Sequence, residues 1–301
     1  MRLSTAWLVD AARPVHDRVR RSVAVALRDR VAGTDNAAKA TLIWGKPGQR
    51  WFTVSDPIWR VQADASMFVA GIRALLLQSL HPLAMAGVAG HSGYRGDPWG
   101  RLQRTSTFLA TTTFGTIEDA EALIARVRVV HEQVRGTSPD GRPYAASDPH
   151  LLKWVHIAEA DSFLRTHQRY GLTPLSPAEA DRYVAQSCVV ATRVGVIDPP
   201  TSVDGLDAAI DSYRGELQGT PAAREAARFL LLHPPLPWRA RPGYSALAGA
   251  AVALLPVWAR EPLALPYLPL CERTIALPVG GAATSVIRWA LKHPHESGEP
   301  R

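Results

Sequence analysis

The chain has 301 residues, 47% of them hydrophobic and 20% charged. That is enough chain to bury about three-quarters of its unfolded surface; it is too polar for a polytopic membrane protein and too apolar for a disordered one. A net charge of +7 arises from 34 basic and 27 acidic residues. Only Lys39, Lys46, Lys153 and Lys292 are lysines, and the arginines are scattered, with Arg20 and Arg21 the densest pair. The sequence has no basic block with interleaved aromatics, so no nucleic-acid partner is expected. A positive surface still attracts acidic partners or membranes at long range.

In chain order, Ala11 to Ala32 reads as an amphipathic stretch, followed by a loop at Gly45, Pro47 and Gly48. The N-terminal apolar run is broken at Asp10, so no secretory core is expected. Cys188 and Cys271 are isolated and form no ligand-spaced pair, which suits a reducing compartment. Together these point to a cytoplasmic protein. Ser55-Asp56-Pro57 is a helix start, and the spacing of Phe68, Val69, Ile72, Leu75 and Leu76 carries the helix to about Gln78. His81-Pro82 punctuates a second apolar stretch ending at Gly90, and a loop from His91 leads to a short helix over 100–113.

Glu118 to Arg135 predicts a helix with Leu123, Ile124, Val127, Val130, His131 and Val134 on one stripe. Residues 139–149 read as a turn. Helices follow over 150–170, from Pro177 to about Val194, over 208–217 and over 221–232. From His233 to Pro278 prolines cut the chain into helical pieces. The uncharged segment 244–259 is too short to span a bilayer and reads either as a buried helix or as a peripheral membrane contact. Strand-type alternation and internal repeats are absent from the sequence. The expectation is an all-α single domain over 1–301, with a core at 55–260, an N-terminal extension at 1–54 and a C-terminal extension at 261–301.

The common nucleotide, zinc and nucleophile-elbow motifs are missing, and the pairing of His156 with Glu159 at helical spacing is the reverse of the di-iron order. Polar groups nevertheless occupy packing faces. Arg101, Arg104, Thr105 and Phe108 share one face by i, i+3, i+4, i+7 spacing, and guanidinium groups partly buried there need an anionic partner, either a cofactor carboxylate or a structural acid. His131 sits within an apolar stripe, as either a hydrogen-bonded core residue or an axial haem ligand. His156 repeats the pattern on the next long helix as a second ligand, a supporting partner or packing.

The run DPIWRVQADASMFVAGIRALLLQSLHPLAMAGVAGHSGYRGDPWGRLQRT, followed by VHEQVRG and WVHIAEADSF, resembles the MpaB and latex-clearing-protein (rubber oxygenase) family of haem-dependent oxygenases, over about residues 55–260. That resemblance implies b-type haem in an all-α, globin-like core, and dioxygen activation for oxidative cleavage of carbon–carbon double bonds. It implies His131 as the proximal iron ligand; His156 and Phe108 are the further candidate cofactor-binding residues. It also matches Arg101, Arg104 and Thr105 to a distal Arg-x-x-Lys-Thr. Arg101 and Arg104 would stabilise developing negative charge or pair with a haem propionate, and Thr105 would donate a hydrogen bond. Phe68, Phe108 and Phe114 would be either pocket walls or core packing.

Two departures narrow the expectation. Arginine cannot offer a neutral amine, so Arg104 leaves the sixth iron position open or water-bound. Between Ala65 and Arg101 the only carboxylate is Asp97, so the base of the rubber enzymes has no match and polyisoprene is not the expected substrate. The reading is a haem b-dependent oxygenase using dioxygen on an apolar, isoprenoid or lipid-like small molecule. Its rivals are a non-catalytic haem carrier or sensor and a membrane-surface binding protein; oligomeric state is open.

Overall fold

The computed structural model describes residues 20–291 except 26, 31, 32, 34 and 92–95. The amphipathic stretch over 11–32 therefore lies largely outside the described residues. A short helix, Asn36–Ala40, and a π turn, Thr41–Gly45, precede α1 (Pro57–Ala63), α2 (Met67–Gln78), α3 (Pro82–His91), α4 (Pro98–Phe114) and α5 (Ile117–Gln133). A hairpin of β1 (Arg135–Thr137) and β2 (Pro143–Ala145) leads to α6 (Pro149–Tyr170), α7 (Pro177–Val194), α8 (Val203–Tyr213), α9 (Pro221–Leu232), α10 (Arg241–Ala253) and α11 (Pro269–Leu291). The fold is all-α, with that two-stranded antiparallel hairpin the one sheet among the described residues.

Helix starts are set by local chemistry. Prolines occupy the first turn of α1, α4, α6, α7 and α9, where the missing amide costs nothing. Asp97, Asp148, Ser176 and Thr220 cap the last four, and Ser176 with Glu179 forms a reciprocal capping box. Gly195, at φ +125°, ends α7 in a conformation that disfavours any side chain.

The core is the α2–α6 pair. Val69, Ala70, Leu76 and Leu77 interlock with Trp154, Ile157 and Ala158, all fully buried. Inside it Arg73 pairs with Asp161 at 2.7 Å and donates to Ser162 Oγ at 2.8 Å and the Leu254 carbonyl at 2.9 Å. A buried ion pair survives only when its remaining donors are satisfied, and here they are. Helix α10 crosses α2 and runs against α11 so closely that a β-carbon at Gly280 would fall 2.3 Å from that of Ala250.

Several expectations are corrected. The helix expected from Ser55 to Gln78 is two helices, broken where Asp64 accepts from the Ser66 amide at 2.7 Å and from Arg288 at 2.9 and 3.1 Å. The turn over 139–149 contains the second strand of the hairpin, tightened by Gly141 at φ +86°. The expected 208–217 helix begins five residues earlier, because Ser202 caps it on the Gly205 amide, and stops at Tyr213.

The segment set apart as a C-terminal extension carries α11, packed on α10 and tied by Arg288 to Asp64. A π turn at Glu272–Ala276 precedes Pro278 and relieves the carbonyl that its ring would strike. Leu247, Ala248, Ala250, Ala251, Leu255 and Ala259 of segment 244–259 are buried in the core, while Val257 is exposed. α11 is the one described helix long and apolar enough to cross a bilayer by itself, and it leaves Leu270, Ile275 and Val286 exposed.

Candidate functional site

Helices α4 and α5 are joined by Gly115 and Thr116 and pack on each other, so they form an antiparallel hairpin. Thr116 caps α5 on the Asp119 amide. At the turn end the hairpin is closed: Thr111 to Phe114 of α4 and Ala120 and Ile124 of α5 are buried. At the far end it is open. Val127, His131 and Val134 continue the stripe of Ala120 and Ile124 but are only half-buried, and neighbouring Val130 is 54% exposed.

Arg101 lies 13 residues before the end of α4 and His131 14 residues after the start of α5. At 1.5 Å per residue both stand about 20 Å from the turn, on the same level. Arg101 is thus level with His131, while Thr105 and Phe108 lie about one and two turns nearer the closed end. Val134 continues that stripe towards α3, where a β-carbon at Gly87 would meet it at 3.9 Å.

His131 Nδ1 is buried without a hydrogen-bond partner, and no described residue bonds its Nε2. Burial, only partly offset by Glu132, pushes its pKa down. At neutral pH the ring is therefore an uncharged imidazole with an uncommitted nitrogen, the state a metal ligand requires.

Helix α6 carries two further unusual groups. His156 Nε2 is also buried without a partner, and burial, with Lys153 nearby, lowers its pKa to about 4. One turn on, burial alone pushes Glu159 up to about 7. Burial together with the Glu159 and Asp161 charges raises the pKa of Tyr183 on α7. Among the described residues neither α4 nor α5 packs along α2 or α6; α4 rests on α1, and α5 on α7. On α2, a β-carbon at Gly71 would meet nothing within 4 Å.

The remaining sequence candidates fare differently. Arg101 and Phe108 are half-buried, while Thr105 is exposed. The Arg104 side chain is 66% exposed and pairs with Asp97 at 3.3 Å, which puts it on the surface and not on a buried face. Phe114 is packing, not a pocket wall: it stacks on Trp44 at 5.5 Å and meets Trp59 edge-on at 4.7 Å. Asp97 caps α4 on the Gly100 amide. Glu159 was visible in the sequence only as the neighbour of His156; its burial without a partner, which raises its pKa, is a tertiary property.

The fold and this site describe an all-α protein with neutral, unpartnered imidazoles on α5 and on α6. Residues 59–289, most of the chain, match the family described as ER-bound oxygenase mpaB/B'/rubber oxygenase, catalytic domain. The chain belongs to that family, as its sequence resemblance indicated, and the family's function is of the oxygenase type. Two uncharacterized proteins, from Mycobacterium bovis and Mycobacterium tuberculosis, are each 33% identical over 152 residues, 48% of this chain and 57% of the relative. The match thus spans little more than half the length of those curated relatives. No solved structure matches the chain.

Proposed function

We propose that the protein is a haem b-dependent oxygenase that uses dioxygen to oxidise an apolar, isoprenoid- or lipid-like small molecule. The observation that supports this most is the open end of the α4–α5 hairpin, where a neutral, unpartnered imidazole stands level with an arginine and apolar side chains. The donor set fits haem: His131 would hold the iron, Arg101 would face a propionate or developing negative charge, and Val127, Val134 and Phe108 would offer apolar contact. When bound, haem would supply the redox chemistry that activates dioxygen.

This chain's own residues would do the rest. Arg101 is always cationic and would neutralise negative charge in a site from which water is partly excluded. Glu159 titrates near neutrality, so its carboxyl can release or take up a proton, and this would provide the general acid or base that the 65–101 segment lacks. His156, held neutral, would accept a hydrogen bond from its Nε2 side. Thr105 stands one turn from Arg101 at the open end and would donate a hydrogen bond there.

The test is paired. Wild-type protein should carry haem and consume dioxygen with an apolar alkene, whereas His131→Ala should keep its helical circular dichroism and lose the haem. Retained haem in His131→Ala would remove the ligand assignment. Haem without dioxygen consumption across a panel of apolar alkenes would favour the carrier reading. For localisation the proposal is a cytoplasmic protein.

A further inference from the structure

At the end of the α2–α6 pair, away from the histidines just described, three other ligand-type side chains converge. His81 lies at the sharp joint where α2 meets α3 at 109°. It is 1% exposed and precedes Pro82, the first residue of α3. His150 opens α6, its amide held by Asp148 at 2.9 Å. Glu216 follows α8 on a loop fixed where the Gln218 amide donates to the Leu80 carbonyl at 2.8 Å, beside His81.

The three groups gather around one carboxylate. Tyr213 stacks on His150 at 4.5 Å and donates its hydroxyl hydrogen to the His150 carbonyl at 2.9 Å. The same oxygen lies 3.2 Å from His150 Nδ1, a contact in which either atom can donate. On its other side His150 Nε2 stands 2.8 and 3.0 Å from the two Glu216 carboxylate oxygens. An imidazole nitrogen and a carboxylate at that distance share either a proton or a metal ion.

His81 Nε2 is buried without a hydrogen bond and points at the same Glu216 oxygen from 3.4 Å. The Ala84 amide reaches its Nδ1 only at 3.5 Å, too far to fix the tautomer. Arg142, the nearest guanidinium, is committed to Asp140 at 2.6 and 2.9 Å.

We infer that His81, His150 and Glu216 form a second metal site, a two-histidine, one-carboxylate set for a divalent transition-metal ion such as zinc or ferrous iron, independent of the haem reading. The three ligand atoms lie within 4.8 Å of one another. A zinc ion about 2.0–2.2 Å from each ligand sets neighbouring ligands roughly 3.3 Å apart, so the 2.8 and 3.4 Å edges are already near that spacing. His150 and Glu216 are half-exposed, which leaves a coordination position to water. Tyr213 orients His150 as an outer partner typically orients a ligating imidazole. The ion would clamp the α2–α3 joint, the start of α6 and the α8–α9 loop.

The test uses full-length protein stripped with chelator, exposed to zinc, gel-filtered and measured for metal and haem in the same sample. The expected result is one retained zinc per chain, a melting temperature that rises with zinc, and loss of both effects in His150→Ala and Glu216→Gln with haem content unchanged. Tyr213→Phe should fold and bind zinc about 10- to 100-fold more weakly. Wild type that retains no zinc, or zinc retained equally by wild type and both ligand variants, would overturn the site. Because haem is measured separately, a sample without haem still decides whether zinc binds here.

Discussion

The α2–α6 pair and the α4–α5 hairpin are built from similar helices, yet they end in opposite states. Around Arg73 the guanidinium has an anion, a hydroxyl and a carbonyl, and the surrounding side chains are sealed. On α5, an imidazole in an equally apolar stripe has no partner, and the stripe is closed at Ala120 and Ile124 but open at His131. Buried polar groups are normally satisfied, because each one left unpaired costs about 1–3 kcal/mol. The first region therefore reads as structure and the second as a place held for something else.

The comparison breaks most visibly at Arg73. Arg73→Ala removes the buried partner of Asp161, leaves it only Arg165 at 3.1 Å, and should cost about 3 kcal/mol. Chemical denaturation checks this, and an unchanged midpoint would show that the pair is not the strut described.

Next in size is a pH effect on α6. Glu159 titrates near 7 in the folded chain against an ordinary 4.5, so its contribution is complete below 4.5 and is lost as pH rises towards 7. His156 titrates near 4 against an ordinary 6.5, so its contribution grows as pH rises from 4 to 6.5. In wild type the two slopes oppose each other. Glu159→Gln should uncover the His156 limb, giving a melting temperature that climbs between pH 5 and 6.5. His156→Gln should uncover the falling limb. Melts that track wild type in both variants would remove these two groups from a shared buried wall.

How much of this was legible in the sequence depends on the range of the forces involved. The bounds of α7 and α9 could be read because proline and capping residues act within one turn: Ser176-Pro177 and Thr220-Pro221 are complete local signals. The break at Asp64 was hidden because its partner, Arg288, lies 224 residues away. Helix α11 was hidden because Pro278 suggests interruption and only the π turn before it shows how it is absorbed. His131 and Arg101 were legible as polar residues on apolar faces, but the hairpin that levels them is a tertiary fact. No spacing links positions 81, 150 and 216; only the α2–α3 bend and the loop after α8 bring them together.

Smaller effects sharpen the contrast. His131→Ala should change stability by less than about 1 kcal/mol, because the ring closes no packing around it. A larger loss would mean that the open end is a core after all. Arg104→Ala removes an exposed pair with Asp97 and should cost under about 1 kcal/mol. If it abolished haem binding while leaving the fold intact, Arg104 would belong at the cofactor, away from the surface position it holds here.

The most direct measurement of the central claim is an absorption spectrum of the full chain, expressed with haem precursor, before and after dithionite and then with carbon monoxide. A Soret band that shifts on reduction and again on carbon monoxide binding is the predicted result, since it requires iron with an accessible position. A flat spectrum, with iron absent by metal analysis, would contradict the account and leave the open end of the α4–α5 hairpin without its cofactor.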